Sequence, residues 1–452
     1  MSIARIRTTR FLWLPHRGRG AQDTIVVRVL RALARMSRFG TWGASILSGI
    51  AAPVRQGSTI LIGSAPALHD GQDLTRVPAY YRQLLDSVDL PDRPPLAAVE
   101  RELPGEASAI KIVARIAGAT VIGEYCNVRK DHSDGKAQRD QHAKPHGCVC
   151  ARLTVHDNLP PEMDLGIFQR GRSYDAIVRF SNAFGASRSD RKLDGRGMAV
   201  KLLDIGAPNI LSELVPNYPR AEQHFLLTNY PVFFCRNFDD YAKFIQILDL
   251  PNQTLHDKIR RVVRLLFFFL PRRLPQAWIF ARTAAKLIRS PLRQTYHSMT
   301  PYSYGDDKVV RYIVSPTHTP RDPRSSISLM RGDNFLRDTL EAELDPAQHG
   351  EADKAVFDFA VQVRSAATPS DVEDASRRWK RRRDKTFSLA KLEIPLQRFS
   401  APNEVCACET QAFNPWSCIP QHRPLGSLNR MRLGVYLTSM HVRNLLNNVP
   451  FR

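Results

Sequence analysis

The sequence predicts an α+β fold whose core is an antiparallel β-barrel of about eight strands with surrounding helices. Two observations carry this. Eight short segments read as strands: 148–155, 176–181, 198–203, 225–228, 232–234, 309–314, 357–363 and 392–396. The first three alternate apolar and polar residues and are separated by turns rich in Gly, Pro and Asp, the pattern of an antiparallel meander that curls into a barrel. Longer segments of helical character lie before, between and after them.

At 452 residues the chain exceeds one typical core, so it holds either two to three domains or one large domain with extensions. Residues 1–105 read as a basic N-terminal extension and linker, and 106–452 as the main domain, with the barrel at about 139–330. The first 39 residues carry nine arginines, and the apolar stretch that follows is broken by Gly40, Gly43, Gly49 and Pro53, unlike a secretory signal. Residues 25–36 have two readings: an amphipathic basic helix on a membrane or partner, or a disordered Arg-rich arm. Helices are expected at 77–87, 96–106, 107–122 and 237–248, and a basic helical region at 255–290. Its apolar run 265–270 is far too short to span a bilayer; it is buried or interfacial, and burial is the favoured reading. Segment 377–385 is a charged surface stretch. Only Trp379 there is available to stack a base, so no nucleic-acid contact is expected.

The net charge of +21 and a pI of about 10 favour anionic partners: phosphate, acidic lipid, or a carboxylate-bearing cofactor or substrate. With the basic segments at both 1–39 and 258–293, peripheral contact with an anionic membrane is one expectation, beside a soluble cytoplasmic protein. The seven cysteines include two C-x-C pairs that lack zinc-ribbon spacing. They are expected to be reduced thiols, which suits a reducing compartment. Sequence leaves the oligomeric state open.

The chemistry centres on Arg139-Asp140-Gln141-His142-Ala143-Lys144-Pro145-His146-Gly147. A histidine at the mouth of a strand, beside Pro145 and Gly147, is placed to face a cavity, and imidazole titrates near neutral pH. His142 is therefore a candidate acid/base, with a loop-bonding structural role as the alternative.

His142, Val178-Arg179-Phe180-Ser181, Asp194-Gly195-Arg196-Gly197-Met198-Ala199-Val200-Lys201 and Asn229-Tyr230-Pro231-Val232-Phe233-Phe234-Cys235-Arg236 resemble, in order and spacing, the distal half of the haem catalase family. Ala412-Phe413-Asn414-Pro415 and Arg432-Leu433-Gly434-Val435-Tyr436 are similar to its proximal segment, at about 409–445. The resemblance spans about 130–443 and is thin between 250 and 400. It implies a haem b cofactor with iron ligated by Tyr436, beside which Arg432 favours the phenolate. It implies decomposition of hydrogen peroxide through an oxyferryl intermediate. His142 would act as acid/base, Asn229 would polarise the peroxide, and Ser181 would orient the His142 ring. Arg139, Arg179 and Arg443 would bind the haem carboxylates. Tyr241 would stack on the porphyrin, and Phe233 and Phe234 would line the pocket or belong to the core.

Departures from the family pattern temper these roles. Gln141 stands where valine is usual, Asp194-Gly195-Arg196 for D-P-R, and Met198 for Phe. Thr228-Asn229-Tyr230-Pro231 replaces N-N-T-P, which permits a shift of the distal amide by one position. Only 16 residues follow Tyr436, so the NADPH-binding helical domain of some members is expected to be missing. Two further readings stay open: conversion of a lipid or organic hydroperoxide, as catalase-like allene oxide synthases perform, and haem binding without strong catalase activity.

Overall fold

Period-two burial decides the barrel. In β1 (Pro145–Val155) the side chains of Val149, Leu153 and Val155 are buried while Cys150 and Arg152 face outward. β2 (Ser173–Asn182), β3 (Arg196–Leu202) and β4 (Gln223–Thr228) follow as an antiparallel meander. Two short strands, β5 (Tyr296–His297) and β6 (Tyr302–Tyr304), precede the long β7 (Lys308–His318), β8 (Lys354–Arg364) and β9 (Lys385–Pro395). The order is β5-β4-β3-β2-β1-β9-β8-β7, and β5 also pairs with β7, which closes a ring of eight antiparallel strands; β6 attaches beside β7. The structure is a computed structural model that describes residues 81 and 85–448, apart from 132–135, 186, 251–253, 287, 322–331, 351–352, 365, 381–383 and 402–406. The basic extension, with the helix expected at 25–36 and most of that expected at 77–87, lies outside the described residues.

The barrel is filled. Phe225 meets Tyr312 and Phe359 with ring centroids at 4.7 and 4.9 Å, and Phe168 packs across the same space. Aromatic and aliphatic side chains pack the interior, and the candidate His142 and Ser181 lie on the outer wall, between barrel and helices.

Those helices are α1 (Glu106–Asp131), α2 (Ile210–Leu214), α3 (Phe238–Asp249), α4 (Leu255–Phe269), α5 (Leu274–Ala284), α6 (Phe335–Leu344), α7 (Pro369–Glu373) and α8 (Ser427–Asn447). Helix α8 is buried along almost its whole length and crosses α1 where side chains are missing. A Cβ on Gly434 would lie 2.9 Å from Ile110 of α1, and one on Gly118 of α1 would lie 3.1 Å from Thr438 of α8. Electrostatics fixes the start of α8. The buried Arg430 guanidinium is 2.6 Å from Glu100, 2.5 Å from Glu106 and 3.1 Å from Glu373. Removing the cation leaves three clustered carboxylates with only the longer contacts of Arg423 to Glu100 (3.5 Å) and Arg93 to Glu106 (3.8 Å) as counter-charge. Arg430→Met is therefore expected to cost about 3–5 kcal/mol, read as a lowered denaturant midpoint.

Several local expectations are corrected. Residues 96–105 form no helix, because Pro104 and Gly105 (φ +79°) interrupt it and α1 starts at Glu106. Residues 232–234 are not a strand: the chain leaves the barrel after Thr228, and the Phe233 amide bonds to Ala375 instead. The barrel runs on to Pro395 rather than ending near 330. The ring of Trp379 is buried, with the guanidinium carbons of Arg311 and Arg364 at 4.5 and 4.7 Å from its centroid, so it is not available to stack a base. The run 265–270 divides: Phe268 and Phe269 are buried while Phe267 is 76% exposed. No helix among the described residues is long and apolar enough to cross a membrane.

The cysteine expectation also fails in part. Cys148 and Cys408 form a disulfide with Cα atoms 5.7 Å apart, joining positions separated by 260 residues. Spacing along the chain had no means of revealing a pair made by the barrel. Cys150, Cys235 and Cys418 are free thiols.

Candidate active site

Cross-strand register sets one wall of the site. Ser181 of β2, Gly197 of β3 and Thr228 of β4 stand directly opposite one another and so share the outer face. The loop before β1 lays His142 over this row. Its amide donates to the Ala183 carbonyl and its carbonyl accepts from Arg179 Nη2 at 3.0 Å. His142 has φ +55°, a left-handed conformation that a non-glycine residue adopts at some cost, held here by those contacts. Its Nδ1 lies 3.0 Å from Ser181 Oγ, and the ring also interacts with the Asn182 backbone. Burial drives the His142 pKa down to about 3, with the positive charges of Arg179, Arg432 and Arg139 adding to the effect. The ring is therefore neutral at physiological pH.

Gly197 makes this placement feasible. A Cβ there would lie 2.5 Å from the His142 ring and 3.0 Å from Ser181 Oγ. Gly197→Ala is expected to displace the ring and lower any His142-dependent turnover by about a hundredfold while the fold is retained. Steady-state kinetics beside a thermal melt checks this.

Asn229 is not part of that row. Strand alternation turns it to the side of Leu227 and Arg196, where its Oδ1 accepts from the Arg196 amide at 2.9 Å and its Nδ2 has no partner. Thr228 takes the outward place beside Gly197, and its hydroxyl donates to the Tyr230 carbonyl at 3.3 Å.

Helix α8 supplies a second wall. Arg432, Tyr436, Ser439 and Arg443 recur at spacings of four, three and four residues, one face of a helix. Arg432 Nη2 is 3.4 Å from the Tyr436 hydroxyl, and its Nη1 is held 3.0 Å from Asn429. Burial opposes the charge on Arg432, but the phenols of Tyr436 and Tyr302 outweigh it and raise its pKa. Ser439 Oγ, 3.5 Å from the Asp140 amide, ties this helix to the His142 loop.

Arg139, Arg179 and Arg443 converge at the junction of the walls. Arg139 donates to Glu409 at 2.8 Å and to the Gln411 carbonyl at 2.6 Å; Arg179 is 3.3 Å from Glu409; Arg443 reaches the Gln411 carbonyl at 3.2 Å. Burial lowers all three pKa values to about 10, so the guanidiniums remain charged at neutral pH. Burial would raise Glu409, yet the surrounding arginines hold it below the usual range. Sequence reading missed Glu409; its position directly after Cys408, pinned to β1 by the disulfide, is a property of the fold.

Tyr241 of α3 completes the surround. Burial raises its pKa, as do the charges of Asp140 from the loop and Tyr436 from α8, so it sits within electrostatic range of both. Phe233 packs on Tyr241 at 5.7 Å, whereas Phe234 turns into a cluster with Phe244 and Phe280 at 4.7 and 5.0 Å. Arg139, His142, Tyr241 and Arg432 are strongly desolvated, yet each retains partial accessibility. They lie within electrostatic range of one another, between the barrel wall and helices α3 and α8.

No family model and no curated protein matches the chain. Solved structures do. A fungal catalase is 16% identical with a TM-score of 0.50, over 71% of this chain and 64% of its own. Catalase A from Saccharomyces cerevisiae is 15% identical, also with a TM-score of 0.50, over 80% of this chain and 70% of its own. The chain thus spans about two thirds of the length of these catalases and has their fold; identity this low speaks to the fold alone.

Proposed function

We propose that this protein is a haem-dependent hydroperoxidase acting on hydrogen peroxide. The observation that carries the proposal is the grouping, within electrostatic range of one another, of neutral His142, the Arg432–Tyr436 pair and a buried three-arginine cluster. Among the described residues the cluster is salt-bridged to one carboxylate, Glu409, with Asp140 nearby, so three cations face two acids, an excess suited to the carboxylates of a haem. No group of His, Cys, Asp and Glu among the described residues forms a metal site. A tyrosine-ligated haem draws on none of those donors.

Tyr436 would ligate the iron, with Arg432 hydrogen-bonded to its oxygen. Arg139, Arg179 and Arg443 would bind the haem carboxylates, and Tyr241 and Phe233 would present ring faces to the porphyrin. The haem would supply a ferric centre able to exchange electrons with peroxide. His142 Nε2 takes the proton of the bound peroxide and returns it to the departing oxygen, while Ser181 fixes the ring through Nδ1. Thr228, not Asn229, is in line with Ser181 and Gly197 on that wall, and its hydroxyl would have to turn from the Tyr230 carbonyl to donate to the peroxide.

A second reading, an organic or lipid hydroperoxide as substrate, is favoured by the hydroxyl of Thr228 in place of an amide and by the aromatic cluster around Phe234. One haem-loaded preparation tests both. Oxygen evolution from hydrogen peroxide supports the first reading. Turnover of a fatty-acid hydroperoxide without oxygen evolution moves the assignment to the second. A bound haem with neither activity leaves a haem-binding protein and overturns both.

A further inference from the structure

We propose that α4 and α5 form a docking surface for anionic phospholipid bilayers. Leu255, Ile259, Val263 and Phe267 are exposed and recur every four residues, so they lie along one face of α4. Leu274 and Trp278 repeat the same spacing on α5 and are also exposed. These six account for most of the large apolar side chains exposed among the described residues; the other three, Phe184, Leu193 and Leu445, lie elsewhere in the chain. The opposite face of α4 explains why the stripe is not a folding error. Phe268 and Phe269 are buried against Phe244 and Phe280, so the helix already has its core contact and presents a second apolar face outward.

Charge selects the occupant. Residues 255–293 contain ten Lys and Arg but one acid, Asp257. That acid is used in the N-terminal capping box of α4 with Thr254. Arg260 and Arg264 are exposed beside the stripe, and Arg272 and Arg282 are exposed on and next to α5. The Arg282 guanidinium carbon sits over the Trp278 ring, 5.6 Å from its centroid, so a cation accompanies the apolar ring. An apolar stripe with basic flanks matches a bilayer whose headgroups are anionic: the stripe enters the acyl boundary and the arginines remain among phosphates. None of these residues belongs to the His142, Tyr436 or arginine-cluster walls, so this proposal stands apart from the hydroperoxidase reading.

The test uses the full chain and flotation with vesicles of phosphatidylcholine alone or mixed with phosphatidylglycerol. The protein is expected to float with the anionic vesicles at low salt, to stay behind with the neutral ones, and to be released as exposed charges are screened. The triple variant Ile259→Ser, Phe267→Ser, Trp278→Ser is expected to partition at least about a hundredfold less, with an unchanged thermal melt. Arg260→Glu with Arg264→Glu is expected to weaken binding by about a hundredfold at low salt. Quenching by brominated acyl chains adds a readout of insertion, and Trp278→Phe should remove part of it. A parent protein that never floats overturns the proposal. So does a triple variant that floats like the parent, which would place attachment elsewhere in the chain. If the triple variant changes only the oligomeric state, the stripe is covered by a second copy and the proposal also fails.

Discussion

On the hydroperoxidase proposal, His142→Ala is expected to keep its fold and any bound haem and to lose peroxide turnover by about two to four orders of magnitude, the usual contribution of a positioned acid/base. Haem retention follows from geometry: the ligand candidate is on α8, whereas His142 belongs to the loop before β1. The loop survives because its anchors are the His142 backbone amide and carbonyl, which alanine keeps. Stopped-flow spectroscopy of the parent and variant measures the effect; an equal rate of reaction with peroxide would reduce His142 to a structural residue. The pH dependence carries a second signature. With the folded pKa near 3 and the ordinary value near 6.5, the unfolded chain binds a proton at His142 that the native protein does not. His142 therefore contributes stability above pH 6.5 that is lost progressively as pH falls toward 3. In His142→Ala that part of the acid sensitivity disappears, which urea titrations at pH 7 and pH 5 resolve.

Tyr436→Phe carries the other large effect. The change removes one oxygen and leaves a ring of the same size on the same helix face, so α8 should still pack against α1. Absorption arising from tyrosinate coordinated to ferric iron is expected to vanish, and haem to be lost on gel filtration. The Arg432 guanidinium then loses the Tyr436 hydroxyl and keeps Asn429, Thr300 and the nearby Tyr302 phenol. An unchanged spectrum in this variant would assign the iron ligand to another residue.

Much of this architecture is written locally. Alternation in 148–155, 176–181 and 198–203 specifies strands β1 to β3, because a half-buried strand needs an apolar residue at every second position. The four-residue step from Arg432 to Tyr436 specifies their common helix face in the same way, and Arg443 follows seven residues after Tyr436. The R-D-Q-H loop is legible as a bend because Pro145 and Gly147 follow it. Short-range signals fail where long-range contacts decide. Two-residue β5 has no periodicity to read, yet it closes the barrel through β4 and β7. Trp379 sits in a charged stretch and is nevertheless buried beneath two arginines from β7 and β8.

The sequence by itself determined the alternating strands of the antiparallel meander and the acid/base candidate at a bend before the first of them, since each depends on residues a few positions apart. Only the tertiary structure decided which groups share a space. Register across β2, β3 and β4 placed Thr228 and not Asn229 in line with Ser181, because a one-residue step along a strand reverses the face. Closure of the sheet brought Cys148 to Cys408 and set Glu409 among three arginines drawn from a loop, a strand and a helix. The apolar residues of α4 were visible as a run, but packing alone sorted them into a buried face and an exposed one.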